Sequence, residues 1–372
     1  MSTNFDYIVI GSGLSGLSIA SRLSQENAKV ALIESLDVPG GSNKKISFPN
    51  GTINNALRMM PATDSSLNAL SFLENLLGGL KIIKATEERP PVTFEGGQIK
   101  PFLGFGENPP AFYEELPYFT SASVIEWHLE PFEWTRLLFE KFQGTFMPHS
   151  IVTQLKIENN KVESILINGS KVLKAENFIF CAPLRELNTL VPEKLMNFRL
   201  RQRLAKNNFW TLVGIDFCHN SQITDLQNIH VLNGVTQDEV GPCLGRFSPS
   251  SDESQQFSQW ITFVDEAEAE DTEVIAIALK KMKRQIKRAY PTAFENLKAE
   301  RISITPLYSG ISEIKLQGNQ TLPGIENLWI GSGQAHVQKN LIGTLLQSEL
   351  VISALGFASS TTQPVIEERG LL

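Results

Sequence analysis

The sequence predicts an α/β fold in which a parallel sheet carries helices and a β-meander and is interleaved with an α+β unit. Three observations predict it. Tyr7-Ile8-Val9-Ile10 is a short apolar run that stops at a glycine-rich turn, Leu17, Ala20 and Leu23 then recur at helical spacing, and residues 150–183 alternate apolar and polar around two turn signals. A strand buried on both faces reads as an unbroken apolar run, whereas a half-buried one alternates.

The first element is the strand before the turn. Gly11, Gly13 and Gly16 follow it, with Ser12, Leu14 and Ser15 between them, and the helix begins at once. In that order the first glycine permits a tight turn, the second lets the backbone approach a pyrophosphate, and the third lets helix and strand pack closely. The helix N-terminus then faces the anion. A second strand, "KVALIE", ends in Glu34, 23 residues after Gly11, close to the spacing at which an acid meets an adenosine ribose hydroxyl. The turn is therefore expected to hold a dinucleotide in a Rossmann-like unit.

The meander comes next. Asn159-Asn160 and Asn168-Gly169 supply hairpin turn chemistry, and the segment ends in the buried strand "FIFCAP". Near the end of the chain, "NLWIGSGQAHVQKNLIGTLLQSELVISAL" repeats the order strand, glycine turn, helix.

Together with Gly40-Gly41 a few residues beyond Glu34, these segments resemble the flavin-dependent amine oxidase and phytoene desaturase superfamily. That resemblance implies FAD held by an N-terminal dinucleotide fold and a returning C-terminal segment. It places Gly11, Gly13, Gly16 and Glu34 at the pyrophosphate and ribose, Gly40-Gly41 beside the pyrophosphate, and Val152 where the backbone touches adenine. Gly331-Ser332-Gly333 matches the C-terminal glycine turn, with Gly343-Thr344 opening the last helix against the flavin. The chain departs from the family pattern at Ser42-Asn43, where an Arg is usual, at Ser332, where many members have an acid, and around Asn55-Ala56-Leu57-Arg58, where a glycine grazes the flavin. The lysine that many amine oxidases aim through a water at the flavin has no matching position.

The expected layout is a Rossmann-like FAD-binding domain from 1–48, 132–190 and 322–358, with an interleaved α+β substrate-binding domain from 49–131 and 191–321. A polar tail at 359–372 follows. The 372 residues suit about two domains, and 42% hydrophobic with 20% charged residues supports a substantial core. A net charge of -7 and a pI near 5.5 argue against nucleic acid, which needs a basic face. Three cysteines, Cys181, Cys218 and Cys243, have no CxxC spacing, so free thiols in a reducing compartment are expected and no metal site. The first residues lead straight into a strand and no run of about 18 apolar residues occurs, so the expectation is a cytoplasmic protein.

Twelve of the 45 residues from Phe102 to Phe146 are aromatic, against 9% for the whole chain. The earlier ones either line an apolar substrate cavity or build a core; Trp127, Phe132, Trp134, Phe139 and Phe142 are expected as core on or near a helix. Residues 268–288 read as one helix, acidic at its start and basic at its end, which complements the helix dipole. Its bases form a solvated face or make a peripheral contact with an anionic membrane.

The expected function is oxidoreduction: hydride passes from a C–H bond of a small-molecule amine or unsaturated apolar substrate to the flavin, which carries the hard chemistry. His336, Arg58 and Tyr308 are the candidate catalytic residues. His336 is either a base or a loop hydrogen-bonding partner. Arg58 either meets negative charge on reduced flavin or a substrate carboxylate, or makes a salt bridge at the domain junction. Two other classes remain open: a redox-neutral isomerase or mutase needing reduced FAD, and an FAD-fold binding protein without chemistry. Glu34→Ala is expected to weaken FAD retention while leaving the fold.

Overall fold

The computed structural model describes residues 4–49, 51–107, 109–205, 209–233, 241–249, 255–310, 314–316 and 318–357. The tail expected at 359–372 lies outside them.

Two seven-stranded sheets organise these residues. In the first, Asn4–Ile10 lies parallel to Val30–Ile33 on one side and to Lys171–Phe180 on the other, with Ile10 level with Ile33 and Phe180. Thr145–Met147 and Leu328–Ile330 extend the parallel part. The meander Val152–Glu158, Lys161–Ile167, Lys171–Phe180 is antiparallel. Asn159, Asn160, Asn168 and Gly169 all have positive φ, between 49° and 68°, which the right-handed strand twist favours in a tight hairpin turn.

The apolar run before the turn is buried on both faces, which is why it does not alternate. Val9 packs with Leu17, Ala20 and Leu23 of helix Leu14–Gln25 and with Leu345 of the last helix, while Ile8 and Ile10 point into a second core with Phe178, Phe180 and Leu155.

The second sheet runs Leu297–Ser309, Trp210–His219, Gln256–Asp265, Cys243–Phe247, His230–Leu232, Val92–Glu95, Gln98–Pro101. One face packs on helix Thr272–Ala289 through Val213, Trp260, Met282 and Ile286. The other meets Ala56, Leu57, Met59, Phe112 and Phe119. Three connecting features differ from expectation. The helix expected over 268–288 starts at Thr272, because the Asp271 carboxylate accepts the Glu273 N–H at 2.8 Å and caps it there; Glu268–Glu270 forms a separate 3-10 turn. Trp127 lies on strand Ser123–Trp127, and its ring meets the buried Trp134 of helix Pro131–Lys141 at 5.1 Å. The basic face is partly engaged, with Lys283 paired to Glu300 at 2.7 Å and Arg288 donating to the Asn233 carbonyl at 2.6 Å. Among the described residues no helix is long and apolar enough to cross a membrane.

Candidate active site

The three turn glycines meet three different constraints. Gly11 has φ +98°, and a Cβ on it would lie 3.2 Å from the Cys181 carbonyl carbon. Gly16 sits so close to the strand that a Cβ would lie 1.8 Å from the Gly11 carbonyl oxygen. Gly13, the N-cap of helix Leu14–Gln25, has nothing within 4 Å of where a Cβ would be. That open side is where backbone N–H groups and the helix N-terminus can receive an anion.

Glu34 follows the second strand directly and is 7% exposed. Its Oε2 accepts from the Ser12 N–H at 3.0 Å and from the Ser12 hydroxyl at 2.5 Å, while Oε1 accepts from the Leu36 N–H at 2.9 Å and the Ser35 hydroxyl at 3.1 Å. The carboxylate therefore braces the turn, and Glu34 also lines a cavity. This corrects one expectation: Glu34→Ala should weaken FAD retention and also cost about 1–3 kcal/mol of stability, because buried donors lose their acceptor. Urea unfolding of the cofactor-free protein measures the second effect, and flavin titration the first.

Gly40 donates its N–H to the Ser12 carbonyl at 2.8 Å, which lays the glycine pair alongside the turn. A Cβ on Gly41 would approach the Gly13 Cα to 3.0 Å. From the other end of the chain, Gly331 fits against Cys181 and Ile19, and the Gly331 carbonyl accepts from the Ser15 hydroxyl. Gly333 packs on Thr344, and a Cβ on Gly343 would lie 1.9 Å from the Gln338 carbonyl oxygen. The last helix is Asn340–Ala354, so Gly343-Thr344 lies in its first turn instead of opening it.

A cavity of about 580 Å³ joins these segments. It is lined by Gly11, Ser12, Gly13, Leu14, Ser15, Glu34, Gly41, Ser42 and Val152, by Ser332, Gly333 and Thr344, and by Arg58 and Tyr308. Gly16, Gly40, Gly331 and Gly343 stand behind this lining as close-packing positions. His336 does not line it either: its Nδ1 accepts from the Gln338 N–H at 3.0 Å, within its own turn, and burial lowers its proton affinity. Asn43, Ser150, Arg185, Gln334 and Asn340 also line the cavity. Asn43 is marked in the sequence only as the departure after the glycine pair, and the other four carry no marking motif.

Arg58 is 9% exposed and lies with its guanidinium 4.8 Å from the centre of the Tyr308 ring. Its Nη2 donates to the Ser42 carbonyl at 2.8 Å, and its buried Nε has no hydrogen-bond partner among the described residues. Arg58 makes no salt bridge among the described residues; the nearby ion pair of Arg301 with Asp216, at 2.6 Å, lies within the second sheet. Tyr308 donates its hydroxyl to the Leu57 carbonyl at 3.2 Å, and burial raises its phenol, an effect that Arg58 opposes. The aromatic segment behaves as core: Phe112 and Phe119 pack on Phe263, and none of Phe102, Phe105, Phe112 or Phe119 lines the cavity.

A dinucleotide fits these residues. The Gly13 side of the turn is open, the buried Asn43 Oδ1 at the glycine pair lacks a partner, and Arg58 supplies a buried positive charge. Residues 9–76 match the family model for an NAD(P)-binding Rossmann-like domain. No curated protein matches the chain by sequence. Among solved structures, an oxidoreductase from Methanosarcina mazei superposes with TM-score 0.68 at 13% identity, covering 94% of this chain and 100% of that one. Cyclohexylamine oxidase from Brevibacterium oxydans IH-35A gives TM-score 0.68 at 12% identity, covering 95% and 99%. Putrescine oxidase bound to putrescine gives 0.64 at 12% identity, covering 96% and 99%.

The chain shares the fold of these oxidoreductases. Within that fold the segment 55–58 takes an unusual conformation. Ala56 is fully buried with φ +71°, a conformation that costs an L-residue roughly 1–2 kcal/mol. Arg301 and Gln259 of the second sheet hydrogen-bond to its neighbours Asn55 and Asn54. Lys339, the N-cap of the last helix, pairs with the buried Glu115 and so ties the aromatic segment to the cavity's far wall.

Proposed function

We propose that the protein is an FAD-dependent oxidoreductase that takes hydride from a C–H bond of an amine or unsaturated small molecule. One observation carries this reading: a single cavity runs from Glu34, past the Gly11–Ser15 turn, to Arg58, Tyr308 and the first turn of the last helix. Its volume lies within the usual range for ligand and cofactor sites. A C-terminal wall made of Ser332, Gly333 and Thr344 supports FAD over a nicotinamide cofactor, as do fold neighbours named as amine oxidases.

In this reading Glu34 meets the adenosine ribose, Val152 the adenine, and the turn backbone with Gly41 and Ser42 the pyrophosphate. Bound FAD supplies a hydride acceptor. The chain's own residues then orient and shield: Arg58 places positive charge where a carboxylate or a developing negative charge can sit, and the Tyr308 ring supports its guanidinium. The packed aromatics behind Tyr308 keep water from that end of the cavity. His336, turned into its own loop, takes no part.

An absorption spectrum of the purified, desalted protein tests the proposal, followed by anaerobic addition of amines, reduced nicotinamides and polyenes. A flavin spectrum bleached by one class names the donor. Turnover only with pre-reduced flavin would point to a redox-neutral isomerase. A colourless protein that takes up no added FAD overturns the reading.

A further inference from the structure

Three neighbouring strands of the second sheet place Arg301, Asp216 and Gln259 directly opposite one another, in a single row across the sheet. Asp216 is 1% exposed. It accepts from Arg301 through Oδ2 at 2.6 Å and from Gln259 through Oδ1 at 2.8 Å. The row does not end in the sheet. Arg301 Nη2 donates to Asn55 Oδ1 at 2.7 Å, and Gln259 Nε2 donates to the Asn54 carbonyl at 3.0 Å. Asn55 and Arg58 in turn both donate to the Ser42 carbonyl, beside the glycine pair. Neither Asp216 nor Arg301 lines the cavity, whereas Ser42 and Arg58 do.

We propose that Asp216 and Arg301 are positioning residues that hold the 54–58 segment, and with it the Arg58 guanidinium, in place against the cavity. The physical need is visible at Ala56. A buried alanine at φ +71° does not keep that conformation by local preference, so tertiary contacts on both sides of it must offset the strain. The contacts at Asn54 and Asn55 come from this row, and those at Leu57 and Met59 come from the Tyr308 and Tyr118 hydroxyls. A charged pair suits the task because Arg presents two donors in a fixed fork, one for the carboxylate and one for Asn55. The proposal rests on the FAD reading only where cofactor affinity is the readout.

Removing Arg301 alone would leave the buried Asp216 carboxylate without its cation and destabilise the protein, so the test uses the uncharged pair D216N/R301Q. Asn55→Ala, which leaves the ion pair intact, serves as a second variant. Phenylglyoxal labelling, read by mass spectrometry, should modify Arg58 at least about tenfold faster in both variants, while Arg288, held on the second unit's own helix, keeps its rate and reports the absence of general unfolding. FAD titration should show a dissociation constant raised at least about tenfold, with Arg58→Met adding less than its separate effect. An Arg58 that stays protected in the folded variants overturns the proposal. An unaltered chain that binds no FAD overturns the functional reading instead, and the labelling, which needs no cofactor, still decides the positioning role.

Discussion

Gly16→Ala is expected to destabilise the protein by on the order of 3 kcal/mol and to abolish FAD binding, whereas Gly13→Ala should abolish binding alone. The two positions are three residues apart in one turn, and their surroundings separate them. At Gly16 an added methyl would lie 1.8 Å from the backbone oxygen of Gly11, so helix Leu14–Gln25 would have to move off the strand. Overpacking of that kind costs roughly 1–3 kcal/mol, and most where the obstacle is backbone. At Gly13 the space is empty and φ is −67°, ordinary for alanine. The remaining cost is an N-cap preference, below about 1 kcal/mol. Urea midpoints of the cofactor-free variants measure the first effect, and flavin fluorescence titration the second. If Gly13→Ala bound FAD with unchanged affinity, the turn would not be the pyrophosphate site.

Acid is expected to destabilise the protein before its exposed carboxylates titrate, through two histidines in the core of the second sheet. His219 hydrogen-bonds to the Ala293 carbonyl through Nδ1 at 3.1 Å and to the Ser258 hydroxyl through Nε2 at 2.9 Å, and the same hydroxyl accepts from the Trp260 indole. His230 meets the Tyr290 hydroxyl at 2.6 Å, among the rings of Phe247 and Trp260. Burial holds both imidazoles down at about 4 from an ordinary 6.5; backbone carbonyls oppose it only in part. Above pH 6.5 both states are neutral there and stability is complete. As pH falls from 6.5 towards 4 the unfolded chain takes up protons that the folded one refuses, and stability is lost by about 2 kcal/mol for each histidine at pH 5. Urea unfolding at pH 7.5, 6 and 5 should show that slope, and His219→Gln with His230→Gln should flatten it. An unchanged slope in the double variant would place the acid sensitivity elsewhere.

The glycine turn was legible because its requirements are local. Gly11 and Gly16 answer to the sterics of one strand, one turn and one helix, Glu34 to the Ser12 donors in that turn, and the asparagine hairpins to the twist of adjacent strands. The aromatic segment was ambiguous for the opposite reason. Whether Phe112 and Phe119 face a ligand or a core depends on Phe263, more than 140 residues later, and they face the core.

Sequence by itself determined the parallel sheet, its meander and the glycine turns at either end of the chain, since each is written in short-range glycine placement and hydrophobic period; the return of the C-terminal segment to the first turn was implied only by the family resemblance. Tertiary structure alone decided the other end of the site. It placed Arg58 under the Ser42 carbonyl and beside Tyr308, set Ala56 in a left-handed conformation, joined Arg301 to Asp216, and turned His336 away from the cavity. A buried charge takes its partners from whatever the packed sheets bring near it, and those partners lie up to 250 residues away in the chain.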